Sequence, residues 1–183
     1  MVVSETAFGH QTRRKKAVME GKERIVKYSL DYSVCTGCKS CEMFCSLVHD
    51  GVLSPQRSGI KLGIAPIKSM MHEIYVCQQC EDHPCYDACP KQDEAMCVDE
   101  NGIVYVVRDE CIGCGLCTKA CPYDPPRVHV AKLEGKRFAV KCDLCRTRPE
   151  GPACVENCPA MVLGLASQST EDLSRPLSAA KGE

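Results

Sequence analysis

Cysteine is the residue type in this chain with the clearest capacity for chemistry, because sixteen of the seventeen cysteines fall into four runs of four. Four thiolates complete the ligand set of one cubane iron–sulfur cluster, and such clusters exchange single electrons. The runs are, in chain order, Cys35, Cys38, Cys41 and Cys45; Cys77, Cys80, Cys85 and Cys89; Cys111, Cys114, Cys117 and Cys121; and Cys142, Cys145, Cys154 and Cys158. This count predicts four [4Fe-4S] clusters with no ligand left over.

The gaps within the runs indicate how the ligands are shared. The third run has the spacing C-x2-C-x2-C-x3-C-P and ends at Pro122. Two-residue gaps let three sulfurs of one tight loop reach a single cube, whereas the fourth cysteine, displaced along a helix, ligates the other cluster of a pair. The second and fourth runs widen the second gap, and Ser46 follows the first run where the others have proline.

Two other uses of clustered cysteines compete with this interpretation. Disulfides are typical of short secreted chains, but the first 27 residues hold seven bases and no apolar run follows them, so no export signal is predicted. A cytoplasmic location with no membrane span follows as the expectation. Four structural zinc sites could also use sixteen sulfurs, although the gaps of two and then three residues fit cubanes better.

The remaining polar and sulfur side chains are predicted to lie outside the ligand scheme. Cys97 is interpreted as a small buried residue of a hairpin, with a role as a substitute ligand as the alternative. The histidines His49, His72, His83 and His129 are interpreted as structural. The sequence contains no Ser–His pair, phosphate loop or dinucleotide fingerprint, so no catalytic residue is predicted.

Charge is unevenly distributed along the chain. The formal charge is −1, and four clusters of about −2 each would bring it near −9, which excludes nucleic acid as a partner. Residues 81–100 hold seven acids and one base, whereas residues 127–148 hold seven bases and two acids. These segments are interpreted either as two solvated faces or as docking surfaces for a redox partner.

The elements that must position the cysteines are short. A helix is expected to carry the last cysteine of each run, because a three-residue gap puts both side chains on one helical face. Gly37, Gly113 and Gly115 are expected to allow close backbone approach and N–H bonds to sulfur. The predicted strands are 24–28 and 161–165 as outer strands, 60–64 paired with 73–76, a hairpin of 96–98 and 103–107, and a hairpin of 128–130 and 138–140 turning through Glu134-Gly135-Lys136.

Four runs in this order, with Cys121-Pro122-Tyr123 and the segment Lys141-Cys-Asp-Leu-Cys-Arg146, resemble the four-cluster ferredoxin subunits of molybdenum and tungsten oxidoreductases. The electron-transfer subunit of dimethyl sulfoxide reductase is the best-known type. The resemblance implies an α+β fold with two bacterial-ferredoxin-like lobes, built from short hairpins and short helices around four cubanes. The implied divisions are an arm at 1–24, a tandem region at 25–165 with lobe one from 77–126 and lobe two from 25–60 with 127–165, and a tail at 166–183.

The resemblance also implies which cysteines share a cluster. In that family the second and third runs pair, the first and fourth runs pair, and each pair exchanges its fourth cysteine. The implied ligand sets are Cys35, Cys38, Cys41 and Cys158 for cluster 1; Cys142, Cys145, Cys154 and Cys45 for cluster 2; Cys77, Cys80, Cys85 and Cys121 for cluster 3; and Cys111, Cys114, Cys117 and Cys89 for cluster 4.

The implied function is a relay of single electrons between an external donor or acceptor, such as a ferredoxin or a further redox subunit, and a larger molybdenum- or tungsten-pterin catalytic subunit. A free-standing polyferredoxin and a zinc-stabilised binding module are the alternatives. The segments 45–51 and 54–58 carry a narrower similarity, to small iron–sulfur subunits of tungsten enzymes such as class II benzoyl-CoA reductase.

Overall fold

A computed structural model describes residues 24–27, 35–64 and 72–166. Apart from Arg24 and Ala166, the predicted arm and tail lie outside these residues. The elements are β1 (Ile25–Lys27), α1 (Ser40–Asp50), a 3-10 turn (Pro55–Arg57), β2 (Ile60–Gly63), β3 (Glu73–Val76), α2 (Pro84–Asp87), β4 (Met96–Val98), β5 (Val104–Val106), α3 (Leu116–Lys119), β6 (Val128–Leu133), β7 (Lys136–Lys141), α4 (Ala153–Glu156) and β8 (Leu163–Leu165). This mixture of small sheets and short helices confirms the α+β class.

The strands form four antiparallel two-stranded sheets among the described residues, β1–β8, β2–β3, β4–β5 and β6–β7. The predicted hairpins are confirmed, and the two predicted outer strands pair with each other, with Ile25 opposite Leu165. The β6–β7 hairpin is longer than predicted and Lys136 belongs to β7, because Glu134 and Gly135 alone make the turn with φ of 49° and 89°. Two residues of positive φ match the twist of a tight hairpin.

The expected position of the helices on the runs is wrong for three of the four runs. Only α1 contains both the third and the fourth cysteine of its run, whereas α2, α3 and α4 contain the third and end before the fourth. The last turn tightens instead, as in the Cys89 N–H bond to the Tyr86 carbonyl at 3.0 Å. The short helices leave the fourth cysteine on the turn that follows, where the chain changes direction.

The apolar core is thin and includes the cysteines. The larger cluster packs Ile25, Ile60 and Leu163 against cysteines of the first and fourth runs, where α1 contacts α4, and it also includes Cys77 of the second run. The second packs Met96 and Val104 against cysteines of the second and third runs, where α2 contacts α3. These two clusters fit the pairing implied by the sequence, while the division into two lobes stays a prediction.

Candidate iron–sulfur sites

Sixteen cysteines are arranged around four places in the structure, named here sites 1 to 4. Sites 1, 3 and 4 are small cavities, and each is lined by three cysteines of one run and the fourth of another. The linings include Cys35, Cys38, Cys41 and Cys158 at site 1; Cys77, Cys80, Cys85 and Cys121 at site 3; and Cys89, Cys111, Cys114 and Cys117 at site 4.

Site 2 consists of Cys45, Cys142, Cys145 and Cys154, all of which are buried. Burial raises the pKa of Cys154 most, and the charges of Cys45 and Cys145 add to the rise. Burial likewise raises the pKa of Cys142, with Cys154 and Cys45 among the contributing neighbours. The four side chains are therefore close enough to interact electrostatically, away from water.

The pKa values of the buried thiols indicate whether these sites fit a metal cluster. Burial, then the neighbouring Glu42 and the thiolates of Cys158 and Cys35, raises the pKa of Cys41 to about 12, although a bond from the Glu42 N–H opposes the rise. Burial, followed by Cys85 and other thiolates, raises the pKa of Cys117 to about 11. Thiolates that repel one another in a dry cavity require a cationic group to compensate them, and metal ligands must be deprotonated. The donor set therefore fits a bound metal centre, and the spacing of the runs favours an iron–sulfur core.

A repeated backbone conformation shapes the first loop of every run. The residue two positions after the first cysteine is Gly37, Gln79, Gly113 or Leu144, and its φ is 71°, 49°, 63° or 59°. This left-handed conformation bends the chain so that the first two cysteines of the run face the same cavity. Glycine adopts it freely, whereas Gln and Leu adopt it only when the surrounding structure requires it.

Besides the Glu42 bond to Cys41, backbone N–H groups of the described residues donate to further cysteine sulfurs. Gln79 N–H lies 3.4 Å from Cys77 Sγ, and Leu144 N–H lies 3.4 Å from Cys142 Sγ. The other donors are the N–H groups of Gly59 to Cys45, Arg127 to Cys121 and Ala139 to Cys111, at 3.3, 3.2 and 3.3 Å. Such bonds stabilise negative charge on sulfur and tune the potential of a bound cluster. Glycine was the expected donor, and among these five bonds only Gly59 is one.

Neighbouring sites lie close to one another in the order 1, 2, 3, 4. Cys41 of site 1 contributes to the raised pKa of Cys154 of site 2. Cys77 of site 3 does the same for Cys142 of site 2. Cys85 of site 3 is, after burial, the largest influence that raises the pKa of Cys117 of site 4. Each consecutive pair of sites is thus within electrostatic range.

Cys97 and three of the described histidines contact protein groups outside the four ligand sets. Cys97 is buried in β4, and its thiol lies 3.6 Å from the Glu94 carbonyl. His129 and His83 lie 2.9 and 3.1 Å from the carbonyls of Gln56 and Gly102, and His49 lies 2.9 Å from Asp143 Oδ1. His49, Asp143 and Cys145 bring one donor atom each within 4.8 Å, but Cys145 already belongs to site 2.

A buried polar pair between sites 2 and 3 was not predicted from the sequence. Its members, Gln79 and Lys141, are 2% and 6% exposed. The signal that could have found them is their place in the runs, because Gln79 takes a position that two other runs give to glycine and Lys141 directly precedes Cys142.

No helix within residues 24–27, 35–64 and 72–166 has the length and apolar character needed to cross a membrane.

A family model described as "4Fe-4S dicluster domain" matches residues 69–168, more than half of the chain, and one described as "4Fe-4S binding domain" matches residues 32–48. The chain therefore belongs to the 4Fe-4S dicluster domain family. Its similarity to known iron–sulfur proteins extends over most of its length.

The chain is 42% identical over 125 residues to the polyferredoxin-like subunit of aliphatic sulfonate oxidoreductase from Pyrococcus furiosus, covering 68% of this chain and 66% of that one. It is 36% identical over 150 residues to the electron transport protein HydN of Escherichia coli, covering 73% and 83%. The B subunit of anaerobic dimethyl sulfoxide reductase from Escherichia coli is 36% identical over 152 residues, covering 74% and 70%. The resemblance drawn from the cysteine runs is confirmed, and the chain is an iron–sulfur protein related to electron-transport subunits of oxidoreductases.

Among solved structures, the active site complex BamBC of benzoyl coenzyme A reductase with benzoyl-CoA aligns at a TM-score of 0.39 and 26% identity, over 79% of this chain and 81% of that chain.

Proposed function

We propose that this chain is an electron-transfer subunit that relays single electrons through four [4Fe-4S] clusters. The path would run between an external donor or acceptor and a separate molybdenum- or tungsten-pterin catalytic subunit. The relationship to electron-transport subunits supports the class of function. Each bound cluster would supply one-electron chemistry. The protein's own part is to hold the sulfurs, exclude water and keep consecutive sites close together.

The observation that carries this proposal is the adjacency of site 1 to site 2, of site 2 to site 3, and of site 3 to site 4. In each case a cysteine of one site raises the pKa of a cysteine in the adjacent site: Cys41 acts on Cys154, Cys77 on Cys142, and Cys85 on Cys117. A storage or purely structural role would not require this order. A relay does, because electron transfer requires each centre to lie close to the next.

The proposed ligand sets are those implied by the family resemblance, one for each of the four sites. Anaerobically purified protein is expected to be brown, to bleach on reduction, and to contain about sixteen iron and sixteen sulfide atoms per chain. Zinc in place of iron, or iron near half this value, would contradict four-cluster occupancy. The measurement also separates the relay from a zinc-stabilised module, which would be colourless.

The proposed partner is a larger pterin-containing subunit in the cytoplasm, as the reducing environment preferred by clustered thiolates suggests. Affinity purification from the native cell under anaerobic conditions, followed by metal and pterin analysis, tests it. Stoichiometric recovery of a chain containing tungsten or molybdenum supports the proposal. Recovery of the holo-protein alone would favour the free-standing variant, to which the polyferredoxin-like relative gives some weight.

A further inference from the structure

Gln79 and Lys141 form a buried polar pair that supplies no cluster ligand. Each directly precedes a cysteine, Gln79 before Cys80 of site 3 and Lys141 before Cys142 of site 2. Both side chains are almost completely excluded from water, at 2% and 6% exposure. The pair therefore occupies the protein between the two central sites.

The Gln79 amide orients the Lys141 ammonium. Gln79 Nε2 donates to the Cys142 carbonyl at 2.8 Å, and its Oε1 accepts from Val104 N–H at 3.1 Å and from Lys141 Nζ at 3.3 Å. Lys141 Nζ also donates to the carbonyls of Val104 and Cys142, at 2.5 and 3.3 Å. These partners are all neutral, so they fix the position of the ammonium without cancelling its charge.

Lys141 belongs to none of the ion pairs formed by the described residues. A buried ammonium without a counter-charge is strongly unfavourable. Lys141 lines the cavity of site 3, and its charge opposes the rise that burial causes in the pKa of Cys85. The negative charge that compensates Lys141 is therefore expected inside site 3.

We infer that Lys141, oriented by Gln79, is the buried counter-charge of the cluster bound at site 3 and makes that cluster easier to reduce. The inference rests on the proposed function. Reduction adds one electron, and hence one negative charge, to the cluster while the donor loses one electron, and no bond is formed or broken. A fixed positive charge in a low-dielectric interior stabilises that added charge.

A redox titration of the four-cluster protein, followed by electron paramagnetic resonance with dithionite as reductant, tests the inference. In Lys141→Met, one midpoint potential is expected to fall by at least about 59 mV, a tenfold change in the reduction equilibrium. The signal that shifts should be missing from a Cys80→Ala variant, which removes a site 3 ligand. Lys132→Met, at an exposed position of the same hairpin, should change none of the four potentials.

Two further variants separate charge from structure. Lys141→Arg keeps the charge and should keep the potential near that of the wild type. Gln79→Glu places a carboxylate beside the ammonium and should lower the same potential as Lys141→Met does. Lys141→Met protein with wild-type iron content and four unchanged potentials would overturn the inference. If the Lys141→Met protein loses iron, the Gln79→Glu protein is used in its place. Gln79→Glu protein with wild-type iron content and four unchanged potentials would then overturn the inference.

The iron content of the wild type keeps the two hypotheses apart. About sixteen iron atoms per chain establish the premise before any variant is compared. Fewer iron atoms in the wild-type protein would contradict the proposed four-cluster relay. Unchanged midpoint potentials in variants that hold all sixteen iron atoms would contradict only the role of Lys141.

Discussion

At the scale of single residues, the four runs share a left-handed loop position that is filled in two ways. Gly37 and Gly113 adopt it without cost, whereas Gln79 and Leu144 bear a strain of about 1–2 kcal/mol each. Both of these side chains are used elsewhere, since Gln79 bonds across to Cys142 and Leu144 lies in the core beside site 2. The strained positions thus coincide with the two runs that meet at the centre of the molecule.

Gly113 is the loop position where an added side chain should destabilise the protein most. A Cβ there would lie 2.6 Å from Arg137 Cβ and 2.7 Å from its carbonyl oxygen, at a φ of 63°. We expect Gly113→Ala to destabilise the protein by roughly 2–4 kcal/mol and to loosen the cluster at site 4, because clash and strain add. Thermal unfolding and iron content are the measurements.

The matched control for this variant is Gly51→Ala. Gly51 has a similar φ of 67°, but a Cβ there would meet nothing within 4 Å. Gly51→Ala should lower the free energy of unfolding by only about 1–2 kcal/mol and leave the iron content unchanged. Equal effects of the two substitutions would mean that the contact with β7 is unimportant.

At the scale of elements, packing of α1 on α4 explains how the first and last runs could exchange ligands. Cys158 follows α4 yet lies in the cavity of site 1 with Cys35, while Cys45 of α1 lies with Cys142 at site 2. More than a hundred residues separate Cys45 from Cys158 in the chain. Clusters bound in this way would cross-link the ends of the described region.

Paired substitutions test the exchange. Cys35→Ala with Cys158→Ala should remove one cluster and leave about twelve iron atoms, because both residues are assigned to site 1. Cys142→Ala with Cys158→Ala should remove two clusters and leave about eight, because the residues are assigned to different sites. Iron analysis and native mass spectrometry distinguish the outcomes.

Cys97→Ala is the control and should retain all the iron. The opposite pattern, in which the Cys142 and Cys158 double variant loses only one cluster, would mean that the fourth run keeps its own last cysteine.

The elements also show which features could be read from the sequence. The hairpins were predictable because turn residues such as Asn101-Gly102 and Glu134-Gly135 separate alternating apolar segments. The helix ends were not, because the i,i+4 spacing of Cys85 and Cys89 is satisfied equally by a short helix followed by a tight turn. The cysteine pattern supplied the candidate sites. The places of Gln79 and Lys141 in the runs mark each residue by itself, but the contact between them joins residues 62 positions apart and could not be predicted from those places.

At the scale of the whole molecule, we expect a redox partner to dock on the surface around site 4. Cys114 is exposed there, and Ile112 and Leu116 are 62% and 42% exposed. Arg137 lies beside Gly113 on the β6–β7 hairpin and is exposed, as is Lys132 opposite it. An apolar patch with basic residues at its edge favours an acidic electron carrier.

Charge reversal at Arg137 tests this surface. In Arg137→Glu, the rate constant for electron exchange with an acidic ferredoxin, measured by stopped flow at low salt, should fall about tenfold, and its dependence on salt should weaken. Lys39→Glu, an exposed base beside site 1, is the matched control. A larger loss in Lys39→Glu would place the entry point at the opposite end of the series.

Burial of the ligands also predicts the order in which clusters are lost. Every ligand of site 2 is buried, whereas sites 1 and 4 each include an exposed cysteine, Cys38 and Cys114. Burial excludes oxidants and chelators, so exposure to air or to an iron chelator should remove the clusters of sites 1 and 4 first and that of site 2 last. Iron release timed against the paramagnetic signals should be biphasic, with about eight atoms in the fast phase.

Cys38→Ala with Cys114→Ala should abolish that phase, because both clusters lose a ligand before the experiment begins. A single phase in the wild type would mean that the interior opens as a unit, with the four clusters exposed together.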